Sequence, residues 1–143
     1  MKMNENFFIS KVIDPLPYQS NWEAPSNIAL IKYWGKKNLQ IPKNPSLSFT
    51  LDKSVTRTSI RFEPSKSGKF NFKFFFNDSL KPDFDDKLHV FFDRIKKYVC
   101  WITNYELTIK SINTFPHSSG IASSASAMAA LSLAIMDLER YLF

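Results

Sequence analysis

Apolar or β-branched residues occupy every second position in three separate segments, and this alternation restricts the fold more than any other feature. Side chains on one side of an extended strand recur with a period of two, so each segment is predicted to be a half-buried β-strand. The alternating positions are Thr56, Thr58, Ile60 and Phe62, then Phe70, Phe72, Phe74 and Phe76, and finally Tyr105, Leu107 and Ile109.

Two further strands are predicted nearer the N-terminus, where prolines and turn residues limit their length. One has its extended core at Ile28–Tyr33, after the breaker Pro25. The other covers Ser46–Leu51 and is expected to end at Asp52-Lys53-Ser54. Residues 1–20 contain two prolines and are interpreted as an arm or an irregular first strand.

The spacing of apolar residues becomes helical after Asp83. The positions that follow the helical repeat are Leu88, Phe91, Phe92, Ile95 and Val99. A second helix, rich in alanine, is predicted from about Ser123 to the end of the chain. Strands followed by a helix, a strand and a helix favour an α+β fold, with an antiparallel-rich sheet packed on helices. At 143 residues the chain is expected to form a single domain over residues 1–143.

The net charge of +6 suits an anionic ligand, but the basic residues are scattered, which favours a diffuse positive surface over a nucleic-acid groove. The single cysteine, Cys100, excludes an intrachain disulfide and is typical of a reducing compartment. The N-terminal sequence lacks the apolar core of a signal peptide, and no stretch is long and apolar enough to cross a membrane. We therefore predict a cytoplasmic protein.

The segment FPHSSGIASSASAMAAL, residues 115–131, places a glycine loop before serines at the start of the second helix. A helix N-terminus offers N–H groups without intrahelical partners and the positive end of the helix dipole, which suits a phosphate group. Serine hydroxyls add donors and possible Mg²⁺ ligands. The alternative from the residues alone is a serine-capped helix that packs through small residues. The loop lacks the Gly-Lys-Ser/Thr of the Walker type.

A second motif, APSNIALIKYWGKKN, covers residues 24–38 and clusters Lys32, Tyr33, Trp34 and Lys36 at the end of a predicted strand. Lysine binds phosphate as a point charge, and tyrosine or tryptophan can line a small-molecule site while offering a hydrogen bond. The alternative is a strand end with solvated lysines and core aromatic rings.

Taken together, NIALIKYWGK, PSLSFTL and PHSSGIASSASAMAAL resemble the N-terminal half of the diphosphomevalonate decarboxylases, a family of the GHMP kinase superfamily. The resemblance extends from about Trp22 to Leu138. It implies a ribosomal S5 domain 2-like fold with a left-handed βαβ crossover, and a homodimer for the full-length protein. Neither nucleic acid nor a membrane is an implied partner.

The same resemblance implies that ATP phosphorylates the tertiary hydroxyl of mevalonate 5-diphosphate, and that loss of phosphate and CO₂ then yields isopentenyl diphosphate. ATP and Mg²⁺ would be the cofactors, with the metal carried by ATP rather than held by a protein site. Lys32 would have a supporting catalytic role near the reacting centre. The residues that would bind mevalonate 5-diphosphate are Tyr33, Trp34, Gly35, Lys36 and Lys87. The ATP phosphates would contact Ser119, Gly120, Ser123, Ser124 and Ser126.

The sequence departs from the family pattern because residues 1–143 contain neither the Ser-Ala-Cys-Arg-Ser segment, whose arginine orients the substrate carboxylate, nor the catalytic aspartate in a matching context. We therefore expect an incomplete N-terminal portion without the catalytic half, inactive by itself. Two alternatives stay open. One is another small-molecule kinase of the superfamily, such as a mevalonate or phosphomevalonate kinase. The other is a basic S5-like RNA-binding module that uses the strand Phe70–Phe76 with Lys73.

Overall fold

The computed structural model describes residues 14–37, 41–67, 69–116 and 120–143. The arm predicted at the N-terminus lies mostly outside these residues. Within them, the strands are β1 (Tyr18–Ile31), β2 (Lys36–Lys37), β3 (Ile41–Pro42), β4 (Leu47–Pro64), β5 (Asn71–Phe76), β6 (Ser79–Leu80) and β7 (Tyr105–Asn113). The helices are α1 (Asp85–Ile95) and α2 (Ser123–Leu142), and short 3₁₀ turns lie at Pro82–Phe84 and Cys100–Asn104.

Five of the strands form one sheet in the order β1-β4-β7-β5-β6, while β2 and β3 pair separately. Every neighbouring pair is antiparallel except β5 and β7, which run parallel and are connected through α1. A parallel pair needs a crossover connection, and the helix provides it. The predicted α+β fold with an antiparallel-rich sheet is confirmed.

The alternating residues face the helices and form one continuous core. Side chains from β4, β5, β7 and both helices contribute to it, and the aromatic rings of Phe70 and Phe72 pack against Phe92 of α1. The opposite face of the sheet carries charged side chains, including Arg57, which donates to Glu23 across 3.0 Å. The helix-covered face therefore buries the apolar residues, as the period of two predicts. The core residues from the sheet are Ile60, Phe62, Phe72, Phe74, Leu107 and Ile109.

The prediction that two strands cover residues 46–51 and 56–62 is wrong, because β4 is one strand from Leu47 to Pro64. Pro25 of β1 pairs with Val55 and Ser26 pairs with Leu51, so residues 52–54 have no partner on β1 and form a bulge. A bulge accommodates extra residues without ending the strand. Pro25 does not break β1 either, since β1 is at the edge of the sheet, where a missing N–H is tolerated.

The two helices differ in how well their ends match the sequence pattern. Leu88 and Phe92 are buried on α1 as predicted, but the helix ends at Ile95, so Val99 reaches the core from the turn beyond it. The apolar spacing in the sequence extends beyond Ile95 because Val99 is also buried. Val99 packs in the core just before the 3₁₀ turn at Cys100–Asn104 and not as part of α1. The second helix begins at Ser123, as predicted.

The carboxylate of Asp137 connects α2 to β1. It accepts hydrogen bonds from the hydroxyls of Tyr18 (3.0 Å) and Ser20 (2.8 Å) and from the side chain of Trp22, which lie at alternate positions of the strand. Burial by itself raises the pKa of Asp137, but these hydrogen bonds and the nearby Arg140 outweigh it and hold the pKa below its ordinary value. Burial and the bond to the carboxylate in turn raise the pKa of Tyr18.

Candidate functional site

The N-cap residue of α2 makes no side-chain hydrogen bond to the helix. This residue is Ala122, which adopts the left-handed conformation with φ 55°. The N–H groups of Ser123 and Ser124 are in the first turn, where a helix offers donors without intrahelical acceptors. Gly120, two residues earlier, has φ 78° and open space around its Cα. The N-cap position is therefore occupied by an alanine and not by a serine, as the serine-capped alternative required.

Two hydroxyl contacts hold this helix start against the sheet. The Ser26 hydroxyl of β1 donates to the carbonyl oxygen of Ile121, and the hydroxyls of Thr56 and Ser126 lie 2.7 Å apart. Ser126 is only 1% exposed, and its oxygen lies 3.1 Å from the carbonyl oxygen of Ser123. Its hydroxyl thus faces β4 and supports the helix start, away from the surface at which Ser124 is exposed.

A cavity of about 100 Å³ lies beside the helix start, between α1, α2 and the sheet. Ser123, Ser124 and Lys87 line it together, although Lys87 is 36 residues earlier in the chain than Ser123. The Lys87 ammonium group lies 5.7 Å from the centre of the ring of Phe84, another residue that lines the cavity, which is a cation–π contact. The structure therefore brings a predicted substrate-binding residue to the predicted phosphate-binding serines. Ser119 lies outside the described residues.

The segment after β1 forms a compact turn instead of continuing the strand to Tyr33. Gly35 has φ 78°, a conformation that favours glycine, and its carbonyl oxygen accepts the N–H of Lys43 across 3.2 Å. The Lys36 ammonium group lies 5.8 Å from the centre of the Tyr33 ring. Lys32 and Trp34 are exposed, the latter by 80%. The aromatic rings of this motif are therefore on the surface and not in the core.

The turn and the helix start are connected through β1. Ser26, which contacts Ile121, is six residues before Lys32. An extended chain spans at most about 3.3–3.6 Å per residue, so the Cα atoms of Ser26 and Lys32 lie within about 20 Å of each other. A single site that unites Lys32 and Lys36 with the helix start remains a prediction.

Sequence reasoning missed three residues that organise the site: Ser26, Thr56 and Asn44. The amide of Asn44 accepts the N–H of Trp34 and donates to the carbonyl oxygen of Lys32. The only sequence signal was the dipeptide Asn44-Pro45, which indicates irregular structure but not its partner. Ser26 and Thr56 belong to strands, where an alternating hydroxyl gives no hint of a contact with a distant helix.

No group of three or more His, Cys, Asp or Glu side chains in the part of the chain that the structure describes is arranged to hold a metal ion. Across the same residues, neither helix has the length and apolar character that a membrane crossing requires.

Comparison with known proteins assigns the chain to a family. The model of the diphosphomevalonate decarboxylase-like N-terminal domain matches residues 24–141, which include both motifs, α1 and all of α2 except Leu142. The chain belongs to this family. The predicted resemblance is thereby confirmed.

Individual relatives agree with this assignment. The diphosphomevalonate decarboxylase of Ganoderma lucidum is 35% identical over 86% of the chain and 34% of the relative. The crystal structure of mevalonate diphosphate decarboxylase from Staphylococcus aureus superposes with a TM-score of 0.72 at 35% identity, covering 84% of this chain and 36% of that one. The Enterococcus faecalis enzyme, studied for ATP binding mediated by mevalonate diphosphate, superposes with a TM-score of 0.69 at 34% identity, covering 84% and 37%. The chain spans about a third of the length of these relatives.

Proposed function

We propose that residues 1–143 form the nucleotide- and substrate-binding N-terminal part of an enzyme that decarboxylates mevalonate 5-diphosphate to isopentenyl diphosphate at the expense of ATP. The observation that carries the proposal is the start of α2, where the N-cap Ala122 provides no side-chain hydrogen bond, at a cavity that Lys87 lines together with Ser123 and Ser124. Membership of the diphosphomevalonate decarboxylase-like family supports this reaction over others that begin with phosphoryl transfer.

The start of α2 is the proposed site of the ATP phosphates. The first-turn N–H groups and the positive end of the helix dipole favour an anion there, Gly120 lies in open space, and Ala122 adds only a methyl group. The hydroxyls of Ser123 and Ser124 can contact phosphate oxygens or the accompanying Mg²⁺. When bound with ATP, Mg²⁺ neutralises phosphate charge and polarises the transferred group. The buried Ser126 does not face this site and instead supports the start of α2 through its contact with Thr56 of β4.

Lys87 is proposed to act at the phosphates as well. Lys87 lines the same cavity as Ser123 and Ser124, and a lysine point charge stabilises phosphate oxygens. This role revises the expectation from the resemblance, which placed Lys87 at mevalonate 5-diphosphate.

The turn from Lys32 to Lys36 is the proposed site of mevalonate 5-diphosphate. Lys36 supplies a positive charge beside the Tyr33 ring, and the side chain of Lys43 lies against Gly35 and can add a second charge. Lys32 would support the reacting centre. Orientation of two reactants in this way can contribute roughly 7–11 kcal/mol to lowering a barrier. We also propose that the full-length protein is a homodimer and that it is located in the cytoplasm.

The alternative functions are less well supported. The RNA-binding alternative needs an aromatic strand exposed on the sheet, but Phe72 and Phe74 are buried in the core. A mevalonate or phosphomevalonate kinase would share the phosphate loop, and the family match does not favour it.

The proposal is tested by two experiments. Isothermal titration calorimetry of the purified chain should show binding of mevalonate 5-diphosphate and of a non-hydrolysable ATP analogue with Mg²⁺. Lys36→Ala should weaken the binding of mevalonate 5-diphosphate, and Ser124→Ala should weaken the binding of the ATP analogue. The complete open reading frame that encodes these residues should then release CO₂ from mevalonate 5-diphosphate with ATP. A stable phosphorylated product without CO₂ would instead identify a kinase.

A further inference from the structure

The side chain of Asn44 bridges the turn on both sides of Tyr33. Its Oδ1 accepts the N–H of Trp34 across 2.8 Å, and its Nδ2 donates to the carbonyl oxygens of Lys32 (3.3 Å) and Pro45 (2.8 Å). All three partners are backbone groups, so they specify the orientation of the amide: a flipped amide would place two donors, or two acceptors, against each other. Asn44 is half-buried, whereas the residues it holds are exposed.

These bonds replace a missing strand partner. β1 ends at Ile31, directly before Lys32, and the carbonyl oxygen of Lys32 and the N–H of Trp34 are backbone groups that a neighbouring strand would pair with if β1 continued. A second restraint follows at Gly35, whose carbonyl oxygen accepts the N–H of Lys43. The backbone from Lys32 to Gly35 is thus held from the side of residues 43–45.

The direction of the Tyr33 and Lys36 side chains depends on this backbone. Tyr33 lies between the two groups that Asn44 holds, and the Lys36 ammonium group is 5.8 Å from its ring centre. Without the amide, the exposed turn would sample several conformations, and binding an anion would require ordering it at an entropic cost.

We propose that Asn44 is a positioning residue that preorganises Tyr33–Lys36 for the diphosphate of mevalonate 5-diphosphate. The inference rests on the proposed function and adds a residue outside the KYWGK motif. Asn44 does not touch the ligand in this role: it acts through the backbone of Lys32 and Trp34. The ATP phosphates, at the start of α2, are independent of it.

The experiment compares Asn44→Ala with Asn71→Ala in the purified chain. Asn71 is a matched control because it is an exposed asparagine on β5, outside the proposed sites. Its Nδ2 donates a hydrogen bond to the side chain of Glu106 on β7 across 3.1 Å. We expect Asn44→Ala to weaken the affinity for mevalonate 5-diphosphate by about tenfold, the scale of losing one to two hydrogen bonds. Its affinity for the ATP analogue and its unfolding temperature should stay close to those of the unmodified chain. Hydrogen exchange at the Trp34 amide should become faster, and Asn71→Ala should change none of these.

The outcomes separate the two proposals. Equal affinity of Asn44→Ala and the unmodified chain for mevalonate 5-diphosphate would overturn the positioning role while leaving the proposed function intact. A parallel loss for both ligands, together with a lower unfolding temperature, would mean a general structural role and would also overturn it. If the unmodified chain binds neither ligand, the proposed function fails and the positioning role fails with it.

Discussion

The hydroxyl groups of Thr56 and Ser126 lie 2.7 Å apart, between the middle of β4 and the first turn of α2. Thr56 also donates to the side-chain oxygen of Asn113 on β7, at 2.9 Å. The Ser126 hydroxyl in turn lies 3.1 Å from the carbonyl oxygen of Ser123, to which it can donate. Two strands and the helix start are therefore connected by one chain of buried hydrogen bonds.

Removal of this contact should destabilise the fold. We expect Ser126→Ala to lower the free energy of unfolding by about 1–2 kcal/mol, since the buried hydroxyl of Thr56 loses a hydrogen-bond partner. Thr56→Val removes the same contact from the other side with little change in volume. In urea titrations, the double variant should lose less than the sum of the single losses. Strictly additive losses would show that the two hydroxyls do not interact.

Substitutions at Ala122 should reveal the cost of its left-handed backbone. A β-branched side chain is strongly disfavoured at φ 55°, so Ala122→Val should lower the free energy of unfolding by about 1–2 kcal/mol. Ala122→Gly should stay within about 0.5 kcal/mol of the unmodified chain, because relief of strain is offset by greater freedom of the unfolded chain. The measurement is chemical denaturation of all three proteins. Equal stability of the valine variant would contradict the left-handed conformation.

Stability should fall in acid because of Asp137. Its pKa is below the ordinary value in the folded state, so its contribution is complete above the unfolded pKa of about 4 and is lost as the pH falls through the folded pKa. Asp137→Asn should lower the free energy of unfolding by about 1.5–3 kcal/mol at pH 7, where charged hydrogen bonds are lost, and should flatten the acid branch of the pH profile. Thermal unfolding between pH 2 and 7 measures both effects.

Asp93 provides the matched control for this pH profile. Its pKa is also lowered, by the hydrogen bond from Lys96, but both side chains are exposed. Exposed ion pairs contribute little to stability, so Asp93→Asn should leave the acid branch nearly unchanged. If the two asparagine variants give the same profile, the contacts of Asp137 with β1 are not the cause of the acid sensitivity.

Lys87 should contribute to nucleotide affinity. We expect Lys87→Ala to weaken the binding of a non-hydrolysable ATP analogue with Mg²⁺ by roughly five- to tenfold, and to reduce the dependence of this affinity on salt, because a charge near the phosphates is lost. Lys96→Ala removes an equal charge just past the C-terminal end of the same helix and should have little effect. Equal losses in the two variants would assign the effect to net charge rather than to the cavity.

The isolated 143-residue chain should not release CO₂. A positioned base or carboxylate typically contributes 10²–10⁴-fold to proton transfer, and neither the family's aspartate nor its arginine is present in residues 1–143 in a matching context. A radiometric assay with mevalonate 5-diphosphate, ATP and Mg²⁺ measures this directly. Turnover that Lys32→Ala abolishes would place a catalytic base within the chain.

The sequence by itself determined the elements that depend on local periodicity. Alternation predicted the buried faces of β4, β5 and β7, because side chains of a strand point to opposite sides whatever its partners are. The glycine–serine loop and the KYWGK motif identified both parts of the candidate site and the family. The start of α2 at Ser123 was also evident from the sequence.

Only the tertiary structure decided what depends on pairing between distant residues. The bulge at residues 52–54 joins two predicted strands into β4, and it exists because β1 skips these residues when it pairs. Pro25 is tolerated because β1 is an edge strand, a position in the sheet that no local pattern records. Lys87 meets Ser123 at one cavity, and Asn44 meets Trp34, through contacts whose partners are set by packing and not by spacing along the chain.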